Sequence, residues 1–228
     1  MTSFLIGVLM VCLTVVIFFW MRRIYLKKPN PFLLPVITTT FILFVLLVAS
    51  GTSYETYMIG GAWLNELMGP AIVALAYPLY IKRHVVIKFS VMISAGVASG
   101  LMIGFGSIFA LSTLSGVEQV FVASMLPKSI TAPVAVELSA ALNGIPPLTA
   151  VFVLIAGLTG ILFGPTVMKW SRINSLNSKS IALGAASHAM GISKAAEYGD
   201  VPLSMSSIAM IVSAISASIL LPIVLFFV

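Results

Sequence analysis

The chain has 228 residues, of which 60% are hydrophobic and 8% are charged. Soluble domains carry about 25% charged residues, so this composition excludes a soluble protein and indicates a polytopic helical protein of the lipid bilayer. We expect one integral membrane domain over residues 1–228. The net charge of +6 lies mostly in three short clusters beside apolar runs, which indicates membrane topology and no nucleic-acid binding.

Six apolar runs are long enough to cross a bilayer as helices. The predicted spans are residues 4–21, 33–50, 64–80, 89–114, 148–168 and 203–227. The basic clusters at 22–28, 82–88 and 169–179 are expected on the cytoplasmic side, which places the N-terminus outside. Residues 51–62 contain Glu55 and no basic residue, so they are expected to form an outer loop.

The fourth span carries a stripe of glycines at every fourth residue, Gly96, Gly100 and Gly104. A stripe of small residues on one helix face lets another helix approach closely. We interpret it as a packing surface, either within the chain or against a second subunit in a homo-oligomer.

The central stretch, residues 125–147, holds polar residues between apolar runs, where they are costly and need a reason. Three prolines are expected to break the helix here: Pro127, Pro133 and Pro146. Pro133 suits the first turn of a new helix and Gly144 suits its end. The sequence therefore predicts two half-helices with an unwound junction at residues 128–131.

Such a junction favours an anion, because its backbone N–H groups are free and Lys128 adds a full charge beside them. Ser129, Thr131 and Asn143 supply polar groups for the rest of a ligand. The alternative is a packing hairpin whose lysine reaches the membrane interface. We favour the site, because broken helices in transporters commonly mark the substrate site.

A second interrupted apolar segment, residues 181–199, has the same predicted arrangement as the central stretch. Units at about 120–168 and 181–227 each consist of a broken hairpin and a span, the first entering from outside and the second from inside. They predict an inverted-topology repeat whose hairpin tips meet near the midplane. The second tip would contribute Ser187, His188 and Gly191. Alternatively, the central stretch crosses the membrane completely.

Four ionisable residues of these units allow more than one interpretation. A histidine can titrate near neutral pH, so His188 is a candidate proton partner, although a structural histidine bonded between helices is slightly favoured. Glu137 and Lys194 occupy equivalent positions and can form a buried pair. Lys194 and Glu197 can equally pair within one helix at i,i+3.

No catalytic, metal-binding or cofactor-binding pattern accompanies these residues. Ser187 and His188 are adjacent and point to different helix faces, so they do not form a catalytic pair. We expect neither an enzyme nor a bound metal or cofactor.

Four segments together resemble the LrgB/CidB/YohK family of bacterial membrane proteins, which is related to the C-terminal half of the plastid glycolate/glycerate translocator. They are LPKSITAPVAVE at 126–137, GIPP at 144–147, LGAASHAMG at 183–191 and KAAE at 194–197. The resemblance covers nearly the whole chain. It implies a bacterial cell-membrane protein with a small LrgA/CidA-like membrane partner.

The resemblance implies two functions. One is transport of small 2-hydroxy or 2-keto monocarboxylates such as glycolate, lactate or pyruvate. The other is holin/antiholin-like regulation of murein hydrolase activity, autolysis and cell death without transport. We favour the carrier, because a holin forms lesions by self-association and needs neither a cationic site nor an inverted repeat.

Overall fold

The structure, a computed structural model, describes residues 2–28, 30–74 and 76–226, and every regular element among them is helical. Five helical runs are long and apolar enough to cross a membrane: Ser3–Lys27, Tyr54–Ile81, Ser90–Ser115, Pro146–Trp170 and Asp200–Ile223. The prediction of a polytopic helical membrane protein is confirmed. The sixth expected span, at 33–50, is the shorter apolar helix Pro35–Ser50.

The chain divides into two compact units, one ending at Pro70 and one beginning at Ala71. The first contains α1 (Thr2–Lys27), α2 (Pro35–Ser50) and α3 (Tyr54–Glu66). Within it, Ile17 and Met21 of α1 pack against Leu43 of α2.

The expected outer loop at residues 51–62 is mostly helix. Gly51 ends α2 in a left-handed conformation with φ 65°, and Ser53 begins α3 by accepting a hydrogen bond from the Thr56 N–H at 3.2 Å. A serine cap starts a helix whatever the hydrophobicity of the residues that follow. Only residues 51–53 therefore separate the two helices.

The chain continues through nine further helices in the described residues. They are α4 (Met68–Ala74), α5 (Ala76–Ile81), α6 (Arg83–Lys88), α7 (Ser90–Ser115), α8 (Gln119–Met125), α9 (Ala132–Ala141), α10 (Pro146–Trp170), α11 (Leu176–Ala196) and α12 (Asp200–Phe226). The core of the second unit includes Val97, Leu101 and Phe105, one face of α7. Helix α12 is the most buried of the five candidate spans.

The glycine stripe of α7 lies partly inside this unit. A Cβ on Gly96 would lie 2.7 Å from Cγ2 of Ile181 in α11, so this glycine is needed for the approach of the two helices. A Cβ on Gly104 would lie at an ordinary 4.0 Å from Oγ of Ser129. Gly100 has nothing within 4 Å.

The first broken hairpin is formed by α8 and α9. Helix α8 leads into a 3-10 turn, Leu126–Ser129, and Ile130 and Thr131 are extended before α9 begins. A Cβ on Gly144 would contact both Oγ of Ser139 in α9 and, at 3.0 Å, the backbone nitrogen of Ser124 in α8. Because α8 and α9 both lie against Gly144, the chain must reverse direction between them, at residues 126–131.

The second broken hairpin lies within α11. His188 interrupts this helix with φ 41° and ψ −129°. A Cβ on Gly191 would overlap the carbonyl oxygen of Leu183, eight residues earlier. Residues eight apart are about 12 Å apart along a continuous helix, so the chain must fold back at His188.

Helix α10 carries the two hairpins at its opposite ends. Near its N-terminus, Ser124 Oγ accepts from the Ile145 N–H at 2.7 Å, and Thr149 Oγ1 donates to Ser139 Oγ at 2.6 Å. Near its C-terminus, Met168 forms a buried cluster with Leu183 and Ala195, one residue from each arm of the second hairpin. Each hairpin therefore approaches the middle of α10 from a different end.

Candidate functional site

The first hairpin tip presents polar side chains that the fold leaves unpaired. Lys128 is half-buried in the 3-10 turn, and its ammonium has no hydrogen bond or ion pair to any described residue. The hydroxyls of Ser129 and Thr131 likewise have no partner among the described residues. The neighbouring Leu126 and Ile130 are each 1% exposed. A polar group without a partner in such surroundings costs free energy, and water or a ligand would offset that cost.

The N-terminus of α9 lies beside these side chains. Thr131 occupies the cap position with φ −62° and ψ 139° but makes no side-chain cap hydrogen bond, and Pro133 has no N–H group. The first-turn N–H groups of a helix have no partner within the helix, and the dipole is positive at this end. The backbone and Lys128 together favour a small anion.

The second hairpin tip is held closely against α10. His188 is 4% exposed, and its Nε2 donates a hydrogen bond to the carbonyl oxygen of Val153 at 3.0 Å. A carbonyl can only accept, so the proton of the neutral ring lies on Nε2 and leaves Nδ1 as the acceptor. This bond between helices is the structural role that the sequence slightly favoured for His188.

Two glycines of α10, absent from the sequence-based predictions, make room for this tip. A Cβ on Gly157 would lie 2.7 Å from Cε1 of His188, and a Cβ on Gly160 would overlap Oγ of Ser187. With Gly164 they form a stripe spaced by three and four residues on one helix face. The same pattern on α7 was noticed in the sequence, so this signal was available.

The two tips meet near the middle of α10. The 3-10 turn of the first hairpin contacts α7, α10, α11 and α12. Ile130 of the first tip, Val153 of α10 and Ala185 of the second hairpin belong to one core cluster. The structure thus brings the 3-10 turn that contains Lys128 and Ser129 into contact with α11, the helix that contains Ser187, His188 and Gly191.

Asn143 is not part of this meeting point. It is exposed at the far end of α9, about 15 Å from Thr131 by the rise of a ten-residue helix. Asn143 adopts the left-handed conformation that ends the helix, with φ 58°, a role the sequence had assigned to Gly144. Gly144 is needed instead for the close contact with Ser124 and Ser139.

The buried ion pair expected between Glu137 and Lys194 does not form. Lys194 Nζ lies 2.6 Å from Glu197 Oε2, the i,i+3 alternative, with the two side chains 29% and 59% exposed. No ion pair joins Lys194 to Glu137, which is exposed. An exposed pair contributes only about 0–1 kcal/mol to stability.

Metal-ligating side chains are scattered in the described residues. No three or more His, Cys, Asp or Glu among them lie close enough to hold a metal ion. The site chemistry is therefore that of an ammonium, hydroxyls, an imidazole and free backbone N–H groups.

These features define a class, the multi-pass helical membrane proteins with two broken hairpins docked on one span. The chain belongs to the LrgB-like family, whose sequence model matches residues 14–227. It is 47% identical to the protein YxaC of Bacillus subtilis over 96% of this chain and 95% of the relative. It is also 37% identical to the holin-like protein CidB of Staphylococcus aureus strain Mu50, over 99% and 98% of the two chains.

The holin-like protein CidB of Staphylococcus epidermidis strain ATCC 12228 is 33% identical over 99% of this chain and 98% of its own. The family expected from the motifs is thus confirmed. No solved structure matches the chain.

Proposed function

We propose that this protein is a membrane carrier or facilitator for small 2-hydroxy or 2-keto monocarboxylates of the glycolate, lactate and pyruvate type. The observation that carries the proposal is the unpaired Lys128 ammonium at the N-terminus of α9, where two hairpins from opposite ends of α10 meet. A carboxylate is one of the anions that an ammonium and free N–H groups bind.

In this proposal the two hairpins belong to an inverted repeat, with units at about residues 120–168 and 181–227. In each unit a helix breaks, at Thr131 or at His188, and a long span follows, α10 or α12. Repeats of opposite orientation let one central site open to either side in turn. Their attachment to opposite ends of α10 supports this interpretation.

The roles of the tip residues follow from their chemistry. Lys128 and the first-turn N–H groups of α9 hold the carboxylate, and Ser129 and Thr131 bind the 2-hydroxy or 2-keto oxygen. Asn143 has no role in the substrate site, because it lies at the other end of α9.

The decisive experiment is uptake of labelled glycolate, lactate and pyruvate into proteoliposomes of purified protein. Saturable uptake is expected for the native chain and not for Lys128→Gln. The matched control is Lys194→Gln, which makes the same chemical change in the exposed pair with Glu197 and is expected to keep uptake. Normal uptake by Lys128→Gln would remove the site assignment.

His188 is the proposed proton partner of the substrate. Its Nδ1 can take a proton while Nε2 stays bonded to Val153. His188→Asn removes the titrating ring and introduces one of the non-glycine residue types found most often at positive φ. We expect this variant to retain exchange of labelled for unlabelled substrate but to lose stimulation by an inward proton gradient. An unchanged response to the gradient would exclude the histidine.

A second candidate, a non-transporting holin-like regulator of murein hydrolase activity and autolysis, is favoured by the relatives' names. Two relatives that match this chain over nearly their full length are called holin-like proteins. In both readings we propose a small LrgA/CidA-like membrane protein as the partner. Complete rescue of an autolysis defect by Lys128→Gln, in cells where that variant moves no carboxylate, would favour the regulator.

The proposed location is the bacterial cell membrane, with the N-terminus outside and the three basic clusters on the cytoplasmic side. A membrane-impermeant amine-reactive reagent applied to intact cells is expected to label the N-terminus and to leave Lys27 and Lys28 unmodified. Labelling of these lysines in intact cells would reverse the orientation.

A further inference from the structure

An apolar groove opens in the second unit between α4 and α5, the returning arm α9 and the final helix α12. Its volume is about 620 Å³, within the range of small-molecule sites. Among the described residues that line it, only Glu137 and Ser218 have polar side chains. The tip residues Lys128 and His188 do not line it, so the groove is separate from the proposed carboxylate site.

Glu137 places a carboxylate in this groove without a partner. It has no ion pair or hydrogen bond to any described residue. Helix α9 begins at the hairpin tip and ends beside the start of α10, where Ser139, two residues after Glu137, accepts a bond from Thr149. Glu137 therefore lies within the depth of the span, where a carboxylate needs a positive or proton-donating partner.

The length of the groove indicates the size of its occupant. The lining residues run from Ile72 to Leu79, from Val134 to Ala141 and from Ile211 to Ser218. The stretches on α9 and α12 each cover two helical turns, or about 10 Å. A spanning partner helix would contact about 30 Å of surface, so the groove suits a compact molecule better than a helix.

We propose that this groove binds a compact amphipathic monovalent cation, with its apolar body between the three walls and its positive centre beside Glu137. Both parts of this description come from the groove itself, since the walls are apolar and the only charge is a carboxylate. The proposal is independent of carboxylate transport, because it requires no residue of the hairpin tips.

The test is binding of radiolabelled tetraphenylphosphonium to the purified full chain by equilibrium dialysis, with uptake by empty micelles subtracted. We expect saturable binding at one site per chain and a loss of at least tenfold in affinity for Glu137→Gln. The matched control is Glu118→Gln, because Glu118 caps α8 without a side-chain hydrogen bond and does not line the groove.

A second variant keeps the charge and fills the space. Ala141 is exposed and lines the groove, so Ala141→Phe is expected to weaken binding at least tenfold in a folded protein. No saturable binding by the native chain would overturn the proposal. Equal affinity of Glu137→Gln and the native chain would exclude the carboxylate, and unchanged binding by Ala141→Phe would exclude the groove.

Discussion

Both broken hairpins reverse the direction of the chain, but they do so in different ways. The first reverses through a 3-10 turn with Pro127 at its start and leaves its polar side chains free. The second reverses at His188, a non-glycine residue with φ 41°, and is packed closely against its neighbours. The first tip therefore keeps polar side chains without a partner among the described residues, whereas close contacts with neighbouring helices fix the position of the second.

A single added methyl group should disrupt the packing of the second hairpin, and it gives the largest loss of stability that we expect. A Cβ on Gly184 would overlap the backbone oxygen of Ser206 in α12, which no side-chain rotation can relieve. We expect Gly184→Ala to lower the free energy of unfolding by about 3 kcal/mol. This loss is measured by thermal unfolding in detergent, with circular dichroism as the signal.

The control for this variant is Gly100→Ala in α7, because nothing lies within 4 Å of the position that its Cβ would take. Alanine favours a helix more than glycine does, so the stability of this variant should be equal to or above that of the native chain. Equal unfolding of Gly184→Ala and Gly100→Ala would contradict the close packing of the second hairpin on α12.

A substitution at the tip of the first hairpin should have the opposite result, a loss of uptake without a loss of stability. Lys128→Gln should lower carboxylate uptake about 10- to 100-fold, because a charge-assisted hydrogen bond contributes about 1.5–3 kcal/mol. Its thermal unfolding should be unchanged, because the ammonium has no partner to lose among the described residues. A marked loss of stability in Lys128→Gln would show that the lysine has a structural role instead.

The base of the first hairpin predicts the smallest effect. Ser124 is fully buried, and its hydroxyl donates to Val120 O at 2.7 Å while accepting from the Ile145 N–H. Ser124→Ala leaves that N–H unsatisfied, at a cost of about 1–2 kcal/mol in unfolding free energy. Ser193→Ala, which removes only an exposed bond within α11, is the control and should cost less than about 0.5 kcal/mol.

Carboxylate uptake by Ser124→Ala shows whether the base of the first hairpin has a role beyond stability. If the base of the hairpin only positions the tip, Ser124→Ala should retain saturable uptake below its unfolding temperature. A loss of uptake as large as that of Lys128→Gln, in a protein that remains folded, would mean that the base takes part in the transport cycle.

The sequence alone predicted most of the membrane helices and both breaks. Apolar runs and prolines act locally, so the helical nature of α1, α7, α10 and α12 and a break in the central stretch, expected at residues 128–131 and found to begin at Leu126, followed from the residues themselves. The loop expected at 51–62 was wrong, because a helix can begin at a cap such as Ser53 within a segment of modest hydrophobicity.

Only the tertiary structure decided which small and polar residues matter. Gly96 and Gly100 look alike in sequence, yet only Gly96 faces a close neighbour, because contact depends on what lies opposite. For the same reason Lys194 pairs with Glu197 and leaves Glu137 alone in an apolar groove. Local chemistry determined where the chain can break, and the packing of distant segments on α10 decided which of its polar groups remain free to bind a ligand.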